Sequence, residues 1–150
     1  METELDLSIL KSGLLFRNLS DEEIREVIET MSPHRARYAK RAVIARDGDP
    51  FPEIGILLSG SAHLAHIDSN GNNNLMDVLQ AGRTLGELNA VGRYRLHFTI
   101  TAAEPTEVLY LSADQLLRKN VLTAPVQIRF LQNLTLAMSQ KAQYLTLKLE

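Results

Sequence analysis

The stretch Ala81-Gly82-Arg83-Thr84-Leu85-Gly86-Glu87-Leu88-Asn89-Ala90 carries the residue types most suited to holding a ligand. A glycine at 86 lets backbone N–H groups come close to a bound molecule, and the Glu87 carboxylate offers two acceptor oxygens to hydroxyl groups. A short helix opening here would turn its N-terminal dipole towards an anion. Other chemistry is harder to assemble. The four histidines are His34, His63, His66 and His97. His34 falls in a basic loop and His97 at the start of a strand. His63 and His66 stand three apart in a stretch that reads as a strand, so they point to opposite faces and cannot chelate one ion together. Asp21, Glu22 and Glu23 cluster at a helix start, where the helix dipole accounts for them. There is no Gly-x-Ser-x-Gly elbow, no Gly-x-x-x-x-Gly-Lys loop and no Gly-x-Gly-x-x-Gly fingerprint. No catalytic residue and no metal ligand is assigned.

The elements that must position the glycine–glutamate stretch are legible from periodicity. Ser20-Asp21-Glu22-Glu23 is a capping box, and Ile24, Val27, Ile28 and Met31 follow as one apolar stripe on a short helix that Pro33 ends. From about Ala42 to Leu111 the pattern switches to period two. Ile54, Ile56 and Leu58 alternate with Gly55, Leu57 and Ser59, a strand buried at least in part on both faces. Phe98, Ile100 and Ala102 alternate with His97, Thr99 and Thr101, and Val108 to Leu111 make a further strand. Gly48, Gly60, Asn70-Gly71 and Gly82 fall between strands as turns. Many short strands with frequent turns predict a closed antiparallel barrel or sandwich. Arg35, Arg37, Lys40, Arg41 and Arg46 form a basic run with no acid among them, read as a solvated strand face that balances the acidic first helix.

Ser112 caps a short helix through Leu117, and from about Pro125 no Gly or Pro interrupts the chain. Leu131, Leu134, Met138, Ala142, Leu145 and Leu149 recur at helical spacing. Such a rod is about 37 Å long at 1.5 Å per residue, and its apolar seam would stay wet unless a second copy covered it. The bland alternative is that the seam packs on its own barrel.

Composition bounds the rest. The chain has 150 residues, no cysteine and a formal charge of −2, which fits one ordinary domain and removes disulfides and thiolate chemistry. No apolar run approaches the roughly 18 residues of a membrane span, and Met1 to Asp6 is acidic where a secretory signal would be basic. A soluble cytoplasmic protein without a membrane partner is expected. A pI near 6.1 argues against this chain gripping nucleic acid by itself.

In this order, these pieces resemble the sensor half of the Crp/Fnr superfamily of bacterial transcription regulators, the cyclic-nucleotide-binding-domain fold. Ile44-Ala-Arg-Asp-Gly48-Asp49 looks like the strand and turn that open the family's β-roll, and Ile54-Gly-Ile-Leu-Leu-Ser-Gly60 like its Ile-Leu-x-Gly strand. Gly82 with Gly86-Glu87-Leu88 matches the phosphate-binding cassette. Thr101-Ala102-Ala103-Glu-Pro-Thr106-Glu107-Val108-Leu109 matches the strands that close the roll, and Phe130-Leu131-Gln-Asn-Leu134 is similar to the dimerisation helix. The resemblance implies an α+β fold: a double-stranded, jelly-roll-like antiparallel β-roll flanked by N-terminal helices and a long C-terminal dimerisation helix. It implies an effector domain over residues 1–124 and a dimerisation helix over 125–150. It also implies a ligand lodged in the roll behind Gly86, Glu87, Leu88 and Asn89, and a homodimer seam of Phe130, Leu131, Leu134, Met138, Leu145 and Leu149.

Two departures from the family carry the functional expectation. Where the resemblance implies an Arg and a small hydroxyl residue for a cyclic phosphate, counting back from Ala102 and Val108 gives Leu96 and His97. Loss of the charge-assisted bonds costs about 1.5–3 kcal/mol, so cyclic AMP is expected to bind weakly or not at all. The sequence also stops at Glu150 before any helix-turn-helix, so DNA would be reached only through a further C-terminal domain. A seam running to Leu149 without a capping signal reads as a chain cut at the hinge rather than a stand-alone sensor. The alternatives are a genuine cyclic-nucleotide module, a haem-based gas sensor of the same fold and a cupin-like enzyme. The last would need His-x-His in a strand, which this sequence does not have.

Overall fold

The computed structural model describes residues 5–148, excluding the side chains of Leu145 and Lys148. Leu149, placed in the seam by its spacing, lies outside the described residues, as does the side chain of Leu145. Two helices come first, α1 (Leu7–Ser12) and α2 (Asp21–Met31). The capping box of α2 forms as read: Glu23 N–H donates to Ser20 Oγ at 3.1 Å and Ser20 N–H to Glu23 Oε1 at 3.0 Å. Ser32, in the left-handed region, closes the helix.

Eight strands then make two four-stranded antiparallel sheets. One has the order β1 (His34–Tyr38), β8 (Thr106–Ser112), β3 (Glu53–Ser59), β6 (Thr84–Leu85); the other β2 (Val43–Ala45), β7 (Thr99–Ala102), β4 (Ser61–Ile67), β5 (Asn73–Gln80). The first sheet is buried on both faces, as the β3 pattern predicts. Ile54, Ile56, Leu109 and Leu111 pack with the helices. Leu57, Val108 and Tyr110 turn the other way and meet Ala62, Leu79 and Ile100 of the second sheet. This is the α+β roll expected from the sequence.

Three local readings are corrected. His34 is not in a loop: β1 pairs with β8 along its whole length, from His34↔Tyr110 to Tyr38↔Thr106. Second, that pairing sets Arg37 opposite Glu107, so Arg35 and Arg37 of the basic run are balanced across the sheet and not by the first helix. Arg35 Nη2 donates to Glu107 Oε1 at 2.5 Å and Arg37 Nε to Oε2 at 2.9 Å. β4 keeps a regular register with β7 from Ala62↔Ala102 to Ala65↔Thr99, the extra residue of its pairing with β5 being Met76, and His63 and His66 are both exposed. Third, the strand assigned to begin at His97 begins at Thr99, because Leu96 is tied instead to the turn at Gly48 and Asp49.

After β8 come α4 (Ala113–Leu117), capped by Ser112 as read, and α5 (Ala124–Lys148). The first half of α5 lies on the chain's own core. Phe130 meets Phe16 edge to face at 5.2 Å between centroids, and Val126, Phe130 and Leu134 are buried with α1 and α2. Asn133, also buried, donates to Leu15 O at 2.9 Å and Arg17 O at 2.7 Å, satisfying carbonyls of the segment between α1 and α2. Of the residues assigned to a seam between copies, Phe130 and Leu134 are therefore covered within the single chain, and Leu131 and Met138 are partly buried against the same core.

Candidate effector site

The Gly–Glu stretch is positioned by β6, whose Thr84 and Leu85 pair with Ile56 and Gly55 of β3. Gly82 leads into it through a second clamp on the same strand: its N–H donates to Leu57 O at 2.8 Å, and Leu57 N–H to Arg83 O at 3.0 Å. Gly86 then turns the chain with φ +74°, and a β-carbon there would lie 2.1 Å from the Phe51 ring. Only glycine combines that backbone conformation with so close an approach. Glu87 opens α3 (Glu87–Gly92).

Glu87 is fully buried, at 0% exposure. Neither of its carboxylate oxygens has an aligned hydrogen-bond donor, yet the Lys141 Nζ of α5 stands 2.5 Å from Oε1. The approach is an ion pair off the hydrogen-bonding direction. The same ammonium donates to Thr84 O at 3.2 Å. A buried carboxylate in low dielectric is tolerated when a charge of opposite sign neutralises it, and here α5 supplies that charge.

The far end of the cassette is apolar. Leu96 is 0% exposed and packs with Phe51, Leu85, Ile100 and Val108 inside the roll. Its N–H donates to Asp49 O at 2.9 Å and its carbonyl accepts from Gly48 N–H at 2.8 Å. His97 is exposed. The two residues expected together at a phosphate end are thus separated, one in the core and one in solvent. Nor does a nearby arginine replace the missing one: Arg95 Nη1 donates to Gly48 O at 2.9 Å from an exposed position, and Arg93 lies 3.5 Å from Asp114 at the surface. Asn89, buried, holds the loop after α3 by donating to Tyr94 O at 3.2 Å and Arg95 O at 3.0 Å, so it is a brace for the site. Leu88 is partly buried. Tyr38 and Tyr110 share a hydroxyl–hydroxyl bond of 2.7 Å at the rim of the roll's core, and burial pushes the Tyr110 phenol well above its usual range.

A cleft of about 350 Å³ runs between Pro50–Pro52, α3 and the start of α4; neither Glu87 nor Leu96 lines it. Sequence reasoning missed Lys141 and Phe51. The signal for Lys141 was present: it is the single charged residue between Phe130 and Leu147, and it continues the stripe of Phe130, Leu134 and Ala137. Among the described residues no group of three or more His, Cys, Asp or Glu side chains converges on a metal position, and no helix is long and apolar enough to cross a membrane.

Comparison with known proteins agrees with this geometry. The fold matches the N-terminal domain of a transcriptional regulator from Streptomyces coelicolor A3(2), with TM-score 0.70, 20% identity, and coverage of 91% of this chain and 93% of that one. It matches the Thermus thermophilus catabolite activator protein with TM-score 0.79 and 21% identity over 91% of this chain, which spans 62% of that protein. The sensor domain of the transcriptional regulator DNR from Pseudomonas aeruginosa follows, with TM-score 0.64, 20% identity, and coverage of 95% and 87%. A search of curated protein sequences gives no match. A family model described as the cyclic nucleotide-binding domain matches residues 35–119, more than half of the chain and nearly all of the roll from β1 to β8. The chain belongs to the cyclic nucleotide-binding domain family.

Proposed function

We propose that this chain is the effector-sensing and dimerising domain of a Crp/Fnr-like transcription regulator, and that its effector is not cyclic AMP. The observation that carries the second half is Leu96, wholly enclosed by apolar side chains where a cyclic phosphate would need a cation. An anion brought there would lose its hydration and find no guanidinium in return. The glutamate end keeps a polar character, and α5 touches it directly through Lys141.

In this reading a ligand that engages the Glu87 region changes how α5 seats on the roll, and two copies of α5 pass that change to attached helix-turn-helix domains. The ligand acts only so far as it binds the two arrangements with different affinity. The outward side of α5 supports pairing of copies. Ile128, Leu136 and Leu147 are exposed there, and Lys141, the one charge between Phe130 and Leu147, is turned to the roll. Between Phe130 and Leu147 the exposed side is therefore free of charge, as the core of an interface is.

Calorimetric titration with cyclic AMP tests the effector reading. No saturable heat in the micromolar range is expected, and a micromolar or tighter constant overturns it. Native mass spectrometry of freshly purified protein reads subunit count and any retained small molecule together, with a dimer expected.

A further inference from the structure

Beyond Ala137 the burial of α5 on its own chain thins out: no described residue from Met138 to Leu147 is fully buried. Polar contacts tie this half of the helix to the roll. Lys141 reaches Glu87 Oε1 at 2.5 Å and Thr84 O at 3.2 Å, and Tyr144 Oη donates to Met76 O at 3.5 Å. The lysine contact differs in kind, because its partner is a fully buried carboxylate with no aligned donor. A carboxylate enclosed in that way holds its cation far more firmly than an exposed one would.

We propose that Lys141 is an internal stand-in for an effector: its ammonium occupies the cassette carboxylate and seats the distal half of α5 on the roll without any small molecule. The inference rests on the reading above that α5 carries the signal, and it adds a requirement. A ligand that uses Glu87 must first displace Lys141, so hydroxyl groups alone compete against a cation already in place. Lys141 is then a positioning residue for the helix and a specificity determinant for the site.

Hydrogen exchange of the whole chain tests this, with sedimentation confirming that all variants are compared in one oligomeric state. Lys141→Met is expected to speed amide exchange from Ser139 to Leu147 about tenfold or more, leaving Gln127 to Leu134 and strands β3 and β8 at wild-type rates. Lys141→Arg should restore most of the protection. Glu87→Gln should reproduce the Lys141→Met pattern, and the double variant should exchange no faster than either single one. Unchanged exchange in Lys141→Met, or a double variant whose effect is the product of the singles, overturns the proposal. Should Glu87→Gln fail to fold, the contrast between Met and Arg at 141 decides. Tight binding of cyclic AMP in the titration would overturn the effector reading while leaving this result standing.

Discussion

The ring of Phe51 fills the space that a β-carbon on residue 86 would occupy, at 2.1 Å from its ideal position. Phe51 itself belongs to the inner core with Leu96 and Tyr110, its ring meeting Tyr110 edge to face at 6.1 Å. The turn that delivers Glu87 is therefore locked by an aromatic contact from the β2–β3 connection and not only by its own backbone.

Gly86→Ala should consequently be costly. The left-handed backbone adds about 1–2 kcal/mol for a residue with a side chain, and displacing the ring adds about 1–3 kcal/mol. A fall in melting temperature of several degrees is expected, checked by calorimetry beside Gly71→Ala. Gly71 also has positive φ, but a methyl group placed on it would meet nothing within 4 Å, so it should show the backbone cost alone.

Leu96 is a core residue in a position that the family resemblance reserves for a charge. Leu96→Ala should cost about 2–5 kcal/mol through the cavity left behind, read from denaturant midpoints at constant slope. Leu96→Arg should destabilise the fold and not create a phosphate site, because the guanidinium would enter the cluster of Phe51, Leu85, Ile100 and Val108. A folded Leu96→Arg variant that binds cyclic AMP would refute this account of the roll's interior.

Glu107 gives a pH dependence of definite sign. Hydrogen bonds from Arg35 and then Arg37 hold its carboxyl below the usual carboxylate range, so the folded state favours the charged form. The resulting stability is present above the unfolded value of about 4.3 and is lost as pH falls through the lower folded value. Glu107→Gln should be less stable than the wild type at pH 7, and the gap should close on acidification below about pH 4. Urea titrations at a series of pH values check this; a gap that stays constant with pH would contradict it.

Leu136→Lys examines the outer face of α5. Leu136 is 42% exposed, so a lysine there leaves the monomer fold intact while placing charge at the centre of the proposed contact. Sedimentation should show loss of the dimer with an unchanged circular dichroism spectrum. Met138→Lys is a less clean probe, since Met138 packs partly on its own core.

The sequence alone determined the local elements whose cause is local. The α2 cap needs only Ser20 and Glu23 three residues apart, the two-faced burial of β3 shows in its unbroken apolar run, and the Gly86-Glu87 turn stands out because few residue types tolerate such a backbone. Pairing between distant strands was not legible. The balance of Arg35 and Arg37 by Glu107, the bulge at Met76 where β5 meets β4 and the seating of Leu96 on Gly48 and Asp49 each depend on segments far apart in the chain. The tertiary structure alone decided which side of α5 is covered by its own chain. A helical stripe records that one face is apolar, but it cannot record what lies against it. Folding brought α1, α2 and the cassette to that face, enclosing Phe130 and Leu134 and delivering Lys141 to Glu87.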